Sequence, residues 1–222
     1  LINGESVGIT GNVTISSGIF EVDNGDIVAG SGTSNLTIFG ATITNITYGD
    51  FTIPGAQLMH IHPDDTLLLT SNADMTIDGT LTISGDVINN GFVTNDGRLT
   101  NSGLLDNNNS FTNNNLFTND ELVTNDGVMT NSNWLDNNGT YVNNNRLINW
   151  ADSTIVNDLI FDNNGIFENY GTFINNNLFL VNGGTILNFG TIQANVDLVT
   201  EWDPAEDGYT IPIDPDGVSY YL

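Results

Sequence analysis

The chain contains no cysteine and no lysine, and its only arginines are Arg98 and Arg146. Without cysteine it can form no disulfide, no thiolate metal site and no cysteine nucleophile. The 27 acidic residues give a net charge of −25, which excludes nucleic acid and anionic membrane as partners because little could neutralise their phosphates. No apolar run approaches the roughly 20 residues of a membrane-spanning helix, so we predict no membrane insertion. No leader segment precedes the first strand-like stretch, so we expect a mature form.

Asparagine, by contrast, is abundant and regularly spaced. Between residues 75 and 195 an apolar residue recurs every six positions, and from Val87 onward Asn stands two positions after it in nearly every unit. Two extra residues before Ile155 and one before Ile186 shift this period without ending it. The repeated asparagines are Asn89, Asn95, Asn101, Asn107, Asn113, Asn119, Asn125, Asn131, Asn137, Asn143, Asn149, Asn157, Asn163, Asn169, Asn175 and Asn188.

The six-residue period predicts short strands separated by tight turns. A helix repeats every 3.6 residues, so this period excludes one. Two positions after the Asn stands Gly or Asn in most units, for example Gly97, Gly127 and Asn145, and both residue types tolerate a left-handed backbone. We therefore predict an all-β fold, a β-solenoid of hexapeptide units whose strand-like termini cap or extend it. An Asn-rich disordered tract is the alternative.

The position of the asparagines predicts ladders inside the solenoid. Residues two apart in a strand point to the same side, so each apolar residue and its Asn face inward together. An unpaired buried amide costs about 1–3 kcal/mol, but stacked coils place another Asn about 4.8 Å above it. Three units per coil would give about 18 residues per coil and about seven coils in all. Two-sided and five-sided coils are the alternatives.

The units "GTFINN", "GTILNFGTI" and "GTLTISGDVINNG" resemble the repeats of β-solenoid bacterial surface proteins, such as filamentous-haemagglutinin-like adhesins and autotransporter passengers. The resemblance covers residues 75–195. It implies a β-solenoid exposed on the cell surface, and it indicates architecture more strongly than function.

Three regions are predicted. Residues 1–74 show strand-like alternation without the Asn signature, which predicts either irregular earlier coils or a small β cap. Residues 75–195 form the hexapeptide solenoid. Residues 196–222 leave the repeat, carry prolines and a dense acid cluster, and are predicted to form a C-terminal cap or arm.

Acidic and histidine clusters suggest metal sites outside the repeat. His60, His62 and Asp64 fall in "MHIHPDD", and two imidazoles with a carboxylate could hold a transition metal. The acid spacing of "DPAEDG" and "DPDG" is typical of calcium loops, and "EVDNGD" is a third such stretch. Solvated acidic turns are the alternative, and we predict no organic cofactor. The acids proposed for calcium in the C-terminal region are Asp203, Asp207, Asp214 and Asp216.

Neither catalysis nor glycosylation is strongly indicated. There is no nucleophile elbow and no phosphate loop, and the outward acids Asp106, Asp136 and Asp162 are scattered rather than paired as a glycosidase requires. We therefore predict that the chain is not an enzyme. Five sequons are potential glycan acceptors if the source glycosylates asparagine, namely Asn12, Asn35, Asn45, Asn108 and Asn138.

Apolar residues on the outside predict a contact surface. The residue before each core position should face solvent, and the strand-like C-terminus adds two tyrosines. A rank of outward threonines, including Thr94 and Thr112, also suggests ice binding, although the rank is only one residue wide. The predicted interface residues are Phe92, Leu104, Leu116, Leu122, Val128, Trp134, Tyr220 and Tyr221.

These observations favour an extracellular structural subunit that assembles head to tail into a filament or surface layer, with itself as the partner. Solenoid ends are rows of unpaired strand edges that must be capped or used. A fragment of a cell-surface adhesin that binds glycans is the alternative. A polysaccharide-acting solenoid enzyme is a third class.

Overall fold

The computed structural model describes the backbone of the strands between residues 2 and 53, together with residues 55, 58–61, 63, 66–69, 71 and 73–195. Side chains are described from Thr52 onward. Every helix or strand in these ranges is a β-strand, which confirms the all-β prediction. No helix in the described ranges could cross a membrane.

The strands are short and evenly spaced. The first group is β1 (Ile2–Asn3), β2 (Val7–Ile9), β3 (Val13–Ile15), β4 (Gly18–Ile19), β5 (Val22–Asp23), β6 (Ile27–Ala29), β7 (Asn35–Ile38), β8 (Ala41–Ile46), β9 (Gly49–Ile53), β10 (Leu58–Ile61) and β11 (Thr66–Leu69). The second group is β12 (Ala73–Ile77), β13 (Thr80–Ile83), β14 (Asp86–Asn89), β15 (Phe92–Asn95), β16 (Arg98–Asn101), β17 (Leu104–Asn107), β18 (Ser110–Asn113), β19 (Leu116–Asn119), β20 (Leu122–Asn125) and β21 (Val128–Asn131). The third group is β22 (Trp134–Asn137), β23 (Thr140–Asn143), β24 (Arg146–Asn149), β25 (Thr154–Asn157), β26 (Ile160–Asn163), β27 (Ile166–Asn169), β28 (Thr172–Asn175), β29 (Leu178–Val181), β30 (Thr185–Asn188) and β31 (Thr191–Ala194).

The strands form three parallel sheets. From β7 onward, each strand pairs with the strand that comes three strands later in the chain. Sheet A contains β11, β14, β17, β20, β23, β26 and β29 above β1, β5 and β8, and β4 also pairs with β8. Sheet B runs from β2 and β6 through β9, β12 and β15 to β30, and sheet C runs from β3 and β7 through β10 and β13 to β31. The strands before residue 54 thus pair onto the same three sheets.

Each coil contains three hexads. Leu81 pairs with Leu99, and Val93 pairs with Phe111, a separation of one coil in each case. The structure therefore has the triangular coil of three units rather than a two-sided or five-sided one, and residues 75–195 make about 7 turns. This result confirms the predicted β-solenoid.

The core lies along the axis, because the second and fourth residues of the four-residue strands from β10 to β28 face inward. In a strand such as β19, Phe117 and Asn119 are fully buried, while Leu116 and Thr118 are only partly covered. The predicted inward and outward positions are therefore correct. Aromatic rings fill the C-terminal half of the core, where the Tyr141 and Phe161 rings stack with centroids 5.1 Å apart.

Asparagine ladders run along all three sheets beside this core. In sheet B, Asn113 Nδ2 donates to Asn131 Oδ1 at 2.7 Å and also to the carbonyl of Trp134 at 2.9 Å. The same pair of bonds recurs in each sheet, with amide–amide distances of 2.7 or 2.8 Å. The prediction that each buried amide finds its partner in the next coil is confirmed.

The ladders end on apolar residues, except that the last strand of sheet B keeps Asn188. The residues one coil before the first asparagines are Leu69, Ile77 and Ile83. In the other direction, Val181 follows Asn163 in sheet A and Ala194 follows Asn175 in sheet C. Asn95 is the first ladder asparagine of sheet B, and the residue one coil before it, Ile77, has no side-chain donor. The buried Oδ1 of Asn95 therefore has no hydrogen-bond partner.

The breaks in the six-residue period lie in corners between strands. Ala151 and Asp152 lengthen the corner after β24, and one additional residue lengthens the corner after β29. Asp152 (φ 65°) and Gly183 (φ 78°) are the only residues with positive φ in the described ranges. Ser153 is buried and its Oγ donates to Asn149 Oδ1 at 2.7 Å, which ties the longer corner back to the ladder. The strands on either side therefore remain in register.

The regular corners differ from the prediction. Their glycines do not adopt the left-handed conformation, so that explanation was wrong. Glycine is required instead by close approach of the coil below, because a Cβ on Gly127 would lie 2.0 Å from the carbonyl oxygen of Asn109. Where asparagine occupies this corner position, as at Asn115, its Nδ2 donates to the carbonyl of Asp96 at 2.9 Å. The two residue types thus close the corner in different ways.

Replacement of a ladder asparagine should cost more in the middle of a ladder than at its start. Asn113→Leu leaves one N–H of the Asn95 amide and the Asn131 side-chain oxygen each without a partner, so we expect the free energy of unfolding to fall by about 3 kcal/mol. Asn95→Leu, at the start of the same ladder, leaves only the Asn113 side-chain oxygen without a donor and removes an oxygen that is already unpaired, so it should cost about 1 kcal/mol. Urea unfolding followed by far-UV circular dichroism compares the two, and equal losses would contradict the ladder account.

A methyl group at a glycine corner should strain the stack. Gly127→Ala places its Cβ against the Asn109 backbone, and we expect it to lower the free energy of unfolding by about 1–3 kcal/mol. Asn133→Ala, at the matching corner position of the next hexad, already has space for a Cβ and loses only an exposed 3.4 Å hydrogen bond to the Asn114 carbonyl, so it should change the free energy of unfolding by less than about 0.5 kcal/mol. Thermal unfolding of both variants is the measurement, and a Gly127→Ala protein as stable as the Asn133→Ala protein would refute this explanation.

Candidate functional site

The predicted interface residues lie on three different faces of the solenoid. Leu104 and Leu122 are neighbours on sheet A, and Leu116 lies beside Trp134 on sheet C. On sheet B, Ser110 separates Phe92 from Val128. All six face outward, with Phe92 and Trp134 the most exposed of them. Tyr220 and Tyr221 lie outside the described residues.

The exposed aromatic residues that do lie together are Trp150, Tyr170 and Phe189. They occupy the same corner of three successive coils, after the ladder residues of sheet B, and we name this group the aromatic corner. The ring centroids of Trp150 and Tyr170 are 5.5 Å apart, and those of Tyr170 and Phe189 are 4.9 Å apart. Each ring remains at least 36% exposed. In earlier coils polar residues such as Asp96 and Ser132 occupy this corner.

A bidentate ion pair lies next to the aromatic corner on sheet B. Arg146 Nε donates to Glu168 Oε1 at 2.8 Å and its Nη2 donates to Oε2 at 3.0 Å. Tyr170 Oη donates to the same carboxylate at 3.4 Å, so the pair touches the central ring. The hydrogen bond from Arg146 lowers the pKa of Glu168, and the same bond raises the pKa of Arg146. The corner therefore combines three aromatic edges with one fixed ion pair.

Sequence reasoning missed the aromatic corner because it followed the residues before the core positions. The signal lay one residue after the ladder asparagines, at positions 150, 170 and 189. Alignment of these positions depends on placing both insertions in corners, which only the strand pairing shows. The corner therefore became visible once the register was known.

Corners elsewhere along the solenoid carry several of the acidic residues of the chain. Asp96, Asp120, Asp126 and Asp158 each accept a hydrogen bond from the asparagine one coil further on, with distances of 2.6–2.9 Å. Each of these carboxylates is thus followed by an amide in the next coil. The predicted glycan acceptors Asn108 and Asn138 take part in such corner stacks, with their Nδ2 atoms bonded to Asn90 and Asp120. Asn35 and Asn45 lie in β7 and β8, while Asn12 is outside the described residues.

The outward acids considered for catalysis do not converge. Asp106 and Asp162 lie three coils apart on sheet A, while Asp136 is on sheet C. Burial raises the pKa of Asp106 and of Asp136, and in both cases nearby aspartates add to the rise. Two carboxylates facing one substrate bond would have to share a face and a small separation. This arrangement offers no such pair among these three acids.

Most of the predicted metal ligands cannot be placed. His60 lies on β10, where its Nε2 is 3.0 Å from Ser84 Oγ. The other predicted ligands lie outside the described residues, namely His62, Asp64, Asp203, Asp207, Asp214 and Asp216, together with Glu21 and Asp26 of the third acidic stretch, "EVDNGD". Within the part of the chain that the structure describes, no three His, Asp or Glu side chains are grouped as metal ligands. The metal sites remain predictions.

Outward threonines form a file of five on sheet B and a shorter file of Thr82, Thr100 and Thr118 on sheet C. Thr52, Thr76, Thr94, Thr112 and Thr130 are successive neighbours in register. The other outward file on sheet B contains residues of several types, namely Asp74, Phe92, Ser110 and Val128. The regular hydroxyl array is therefore one residue wide.

Comparison with known proteins gives no match, since no family model, curated protein or solved structure is significantly similar to the chain. The β-solenoid architecture consequently stands on the strand pairing and the ladders alone.

Proposed function

We propose that this protein is an extracellular structural subunit that assembles head to tail into a filament or surface layer. The observation that carries the proposal is the C-terminal edge of the described solenoid. Strands β29, β30 and β31 pair on one side only within the described residues. The core residues on these strands, Val181, Ile186 and Ile192, are only partly buried against the cluster below them.

Such an edge suits another copy of the same chain. All strand pairings are parallel, so every coil offers the same backbone donors and acceptors to the coil that follows. Pairing of the C-terminal end of one copy with the N-terminal end of the next is a heterologous contact. Such a contact propagates into a filament when it does not close into a ring. A rod whose coils all pair in parallel can therefore extend through the same strand pairing that joins its own coils.

The ends of the ladders support the same proposal. In sheets A and C the inward position of the last strand holds Val181 and Ala194 rather than asparagine. No ladder amide is thus left facing the edge on those two sheets. Burial of an apolar residue costs less free energy than burial of an amide without a partner. The apolar ends of these two sheets therefore favour contact with another apolar surface. The high negative charge opposes association between copies, and added salt should weaken that repulsion.

The assembly test introduces one charge at the edge. Ile192→Glu places a carboxylate at a core position of β31, and we expect it to abolish filaments that the full chain forms. Gln193→Glu adds the same charge to the exposed neighbour on the same strand and should leave assembly unchanged. Negative-stain microscopy and sedimentation velocity at several salt concentrations are the measurements. Circular dichroism verifies that both variants fold.

A monodisperse full-length monomer at high concentration, with and without calcium, would contradict the assembly proposal. So would filaments of Ile192→Glu equal to those of the parent. The same assay on a chain that lacks residues 216–222 tests the predicted contribution of Tyr220 and Tyr221.

A second candidate function is glycan binding by a cell-surface adhesin, which the resemblance of the repeats suggests. The aromatic corner favours it specifically. Exposed aromatic rings beside a fixed Arg–Glu pair offer apolar contacts and directional hydrogen-bond partners to a sugar chain. The three rings rise along the solenoid axis, so an extended oligosaccharide could contact them in succession.

Paired tryptophan variants test this second candidate. We expect cello-, chito- or xylohexaose to bind the full chain and Trp150→Ala to weaken that binding at least about tenfold, because truncation of an aromatic anchor commonly costs about 2 kcal/mol or more. Trp134→Ala, an exposed tryptophan on sheet C, is the control and should bind normally. Isothermal titration calorimetry gives the affinities. No binding of any hexasaccharide, or equal losses in both variants, would count against this candidate.

A further inference from the structure

Four asparagine–glycine pairs occupy corners of the described solenoid. They are Asn90–Gly91, Asn138–Gly139, Asn164–Gly165 and Asn182–Gly183. Such a pair can deamidate spontaneously, because glycine has no side chain to hinder attack of its backbone nitrogen on the preceding side-chain amide. The rate depends on whether that nitrogen is free to move, so the hydrogen bond of each glycine N–H is decisive.

Three of the four glycine nitrogens are held. Gly139 N donates to the carbonyl of Asn119 at 3.0 Å, and Gly165 N donates to that of Asn143 at 2.9 Å. Gly91 N donates to Asn89 Oδ1 at 3.0 Å. In contrast, Gly183 N makes no hydrogen bond within the described residues.

The exception has a structural cause. The corner after β29 contains one residue more than a regular hexad, so Asn182 is followed by two glycines. Gly183 takes the left-handed conformation, with φ 78°, and a Cβ built on it would meet nothing within 4 Å. The extra residue therefore lifts this glycine away from the carbonyl that its counterparts bind.

The asparagine side chains do not explain a difference between the pairs. Asn182 Nδ2 donates to Asp162 Oδ1 at 2.8 Å, while the Nδ2 atoms of Asn138 and Asn164 donate at 2.9 Å to residues one coil below. All three amides are tethered in the same way. The glycine nitrogen is what distinguishes the site.

We propose that Asn182–Gly183 is the principal site of spontaneous deamidation in the described part of this protein. Gly183 N loses its proton and bonds to Cγ of Asn182, the Cγ–Nδ2 bond breaks, and ammonia leaves with a proton. Solvent water then opens the five-membered imide at either carbonyl, which yields aspartate or isoaspartate.

The product changes the edge of sheet A. The amide that donated to Asp162 becomes a carboxylate, so two like charges face each other across one coil. Isoaspartate also adds one backbone atom to a corner next to Val181, at the end of the core. The modification therefore introduces negative charge and a longer backbone close to the C-terminal edge. It would occur whether or not this edge pairs with another copy of the chain.

Peptide mapping measures the four rates within one sample. The full chain is incubated at 37 °C in mildly alkaline buffer, digested, and analysed by mass spectrometry for deamidated and isoaspartyl forms. We expect Asn182 to react about five- to tenfold faster than Asn138 and Asn164, the factor that one backbone hydrogen bond of ordinary net strength corresponds to. In denaturant the same pairs should react at similar rates. Equal rates in the folded chain would overturn the proposal.

Deletion of Gly183 provides a matched variant. It restores the six-residue spacing and keeps an Asn–Gly pair, because Gly184 then follows Asn182 directly. The remaining glycine nitrogen should then bind the Asn163 carbonyl as its counterparts do, and the rate at Asn182 should fall about five- to tenfold, to that of Asn164. An unchanged rate in a variant with native circular dichroism would also overturn the proposal.

Discussion

The requirement that a buried side-chain amide be paired governs this solenoid. An asparagine in the core is tolerated because its amide donates to another asparagine or to a backbone carbonyl, and the repeated pairing between coils requires parallel strands with no slip. Additional residues can therefore enter only where no amide points inward. The structure follows this rule at Asp152 and at Gly183, since both lie in corners while the ladders on either side remain in register.

The outer surface follows a different rule, which charge imposes. A chain with 27 acids must stack coils about 4.8 Å apart without placing carboxylates above one another repeatedly. Asparagine at the corners meets this need, because Asp126 and its counterparts receive a hydrogen bond from the next coil. Where that polar pattern gives way to Trp150, Tyr170 and Phe189, the surface gains an apolar strip that the fold itself does not need. Recognition is best sought there or at the edge strands.

Much of the fold could be predicted from the spacing of residues alone. Phe117 and Asn119 were assigned to the interior by their separation of two, and both are buried. The corners were explained less well, because Gly127 meets the need for close backbone approach rather than for a left-handed turn. The aromatic corner was missed entirely. Its members are 20 and 19 positions apart, and neither spacing is a multiple of six.

The sequence by itself determined the direction of each side chain, because alternation within a strand needs no information from elsewhere in the chain. It also determined that amides must stack, since a lone buried asparagine would be too costly. Only the tertiary structure decided how many hexads make one coil, which glycines are crowded and which corners align. Those properties depend on contacts between residues about 18 positions apart, and local spacing does not fix the angle through which the chain turns at each corner.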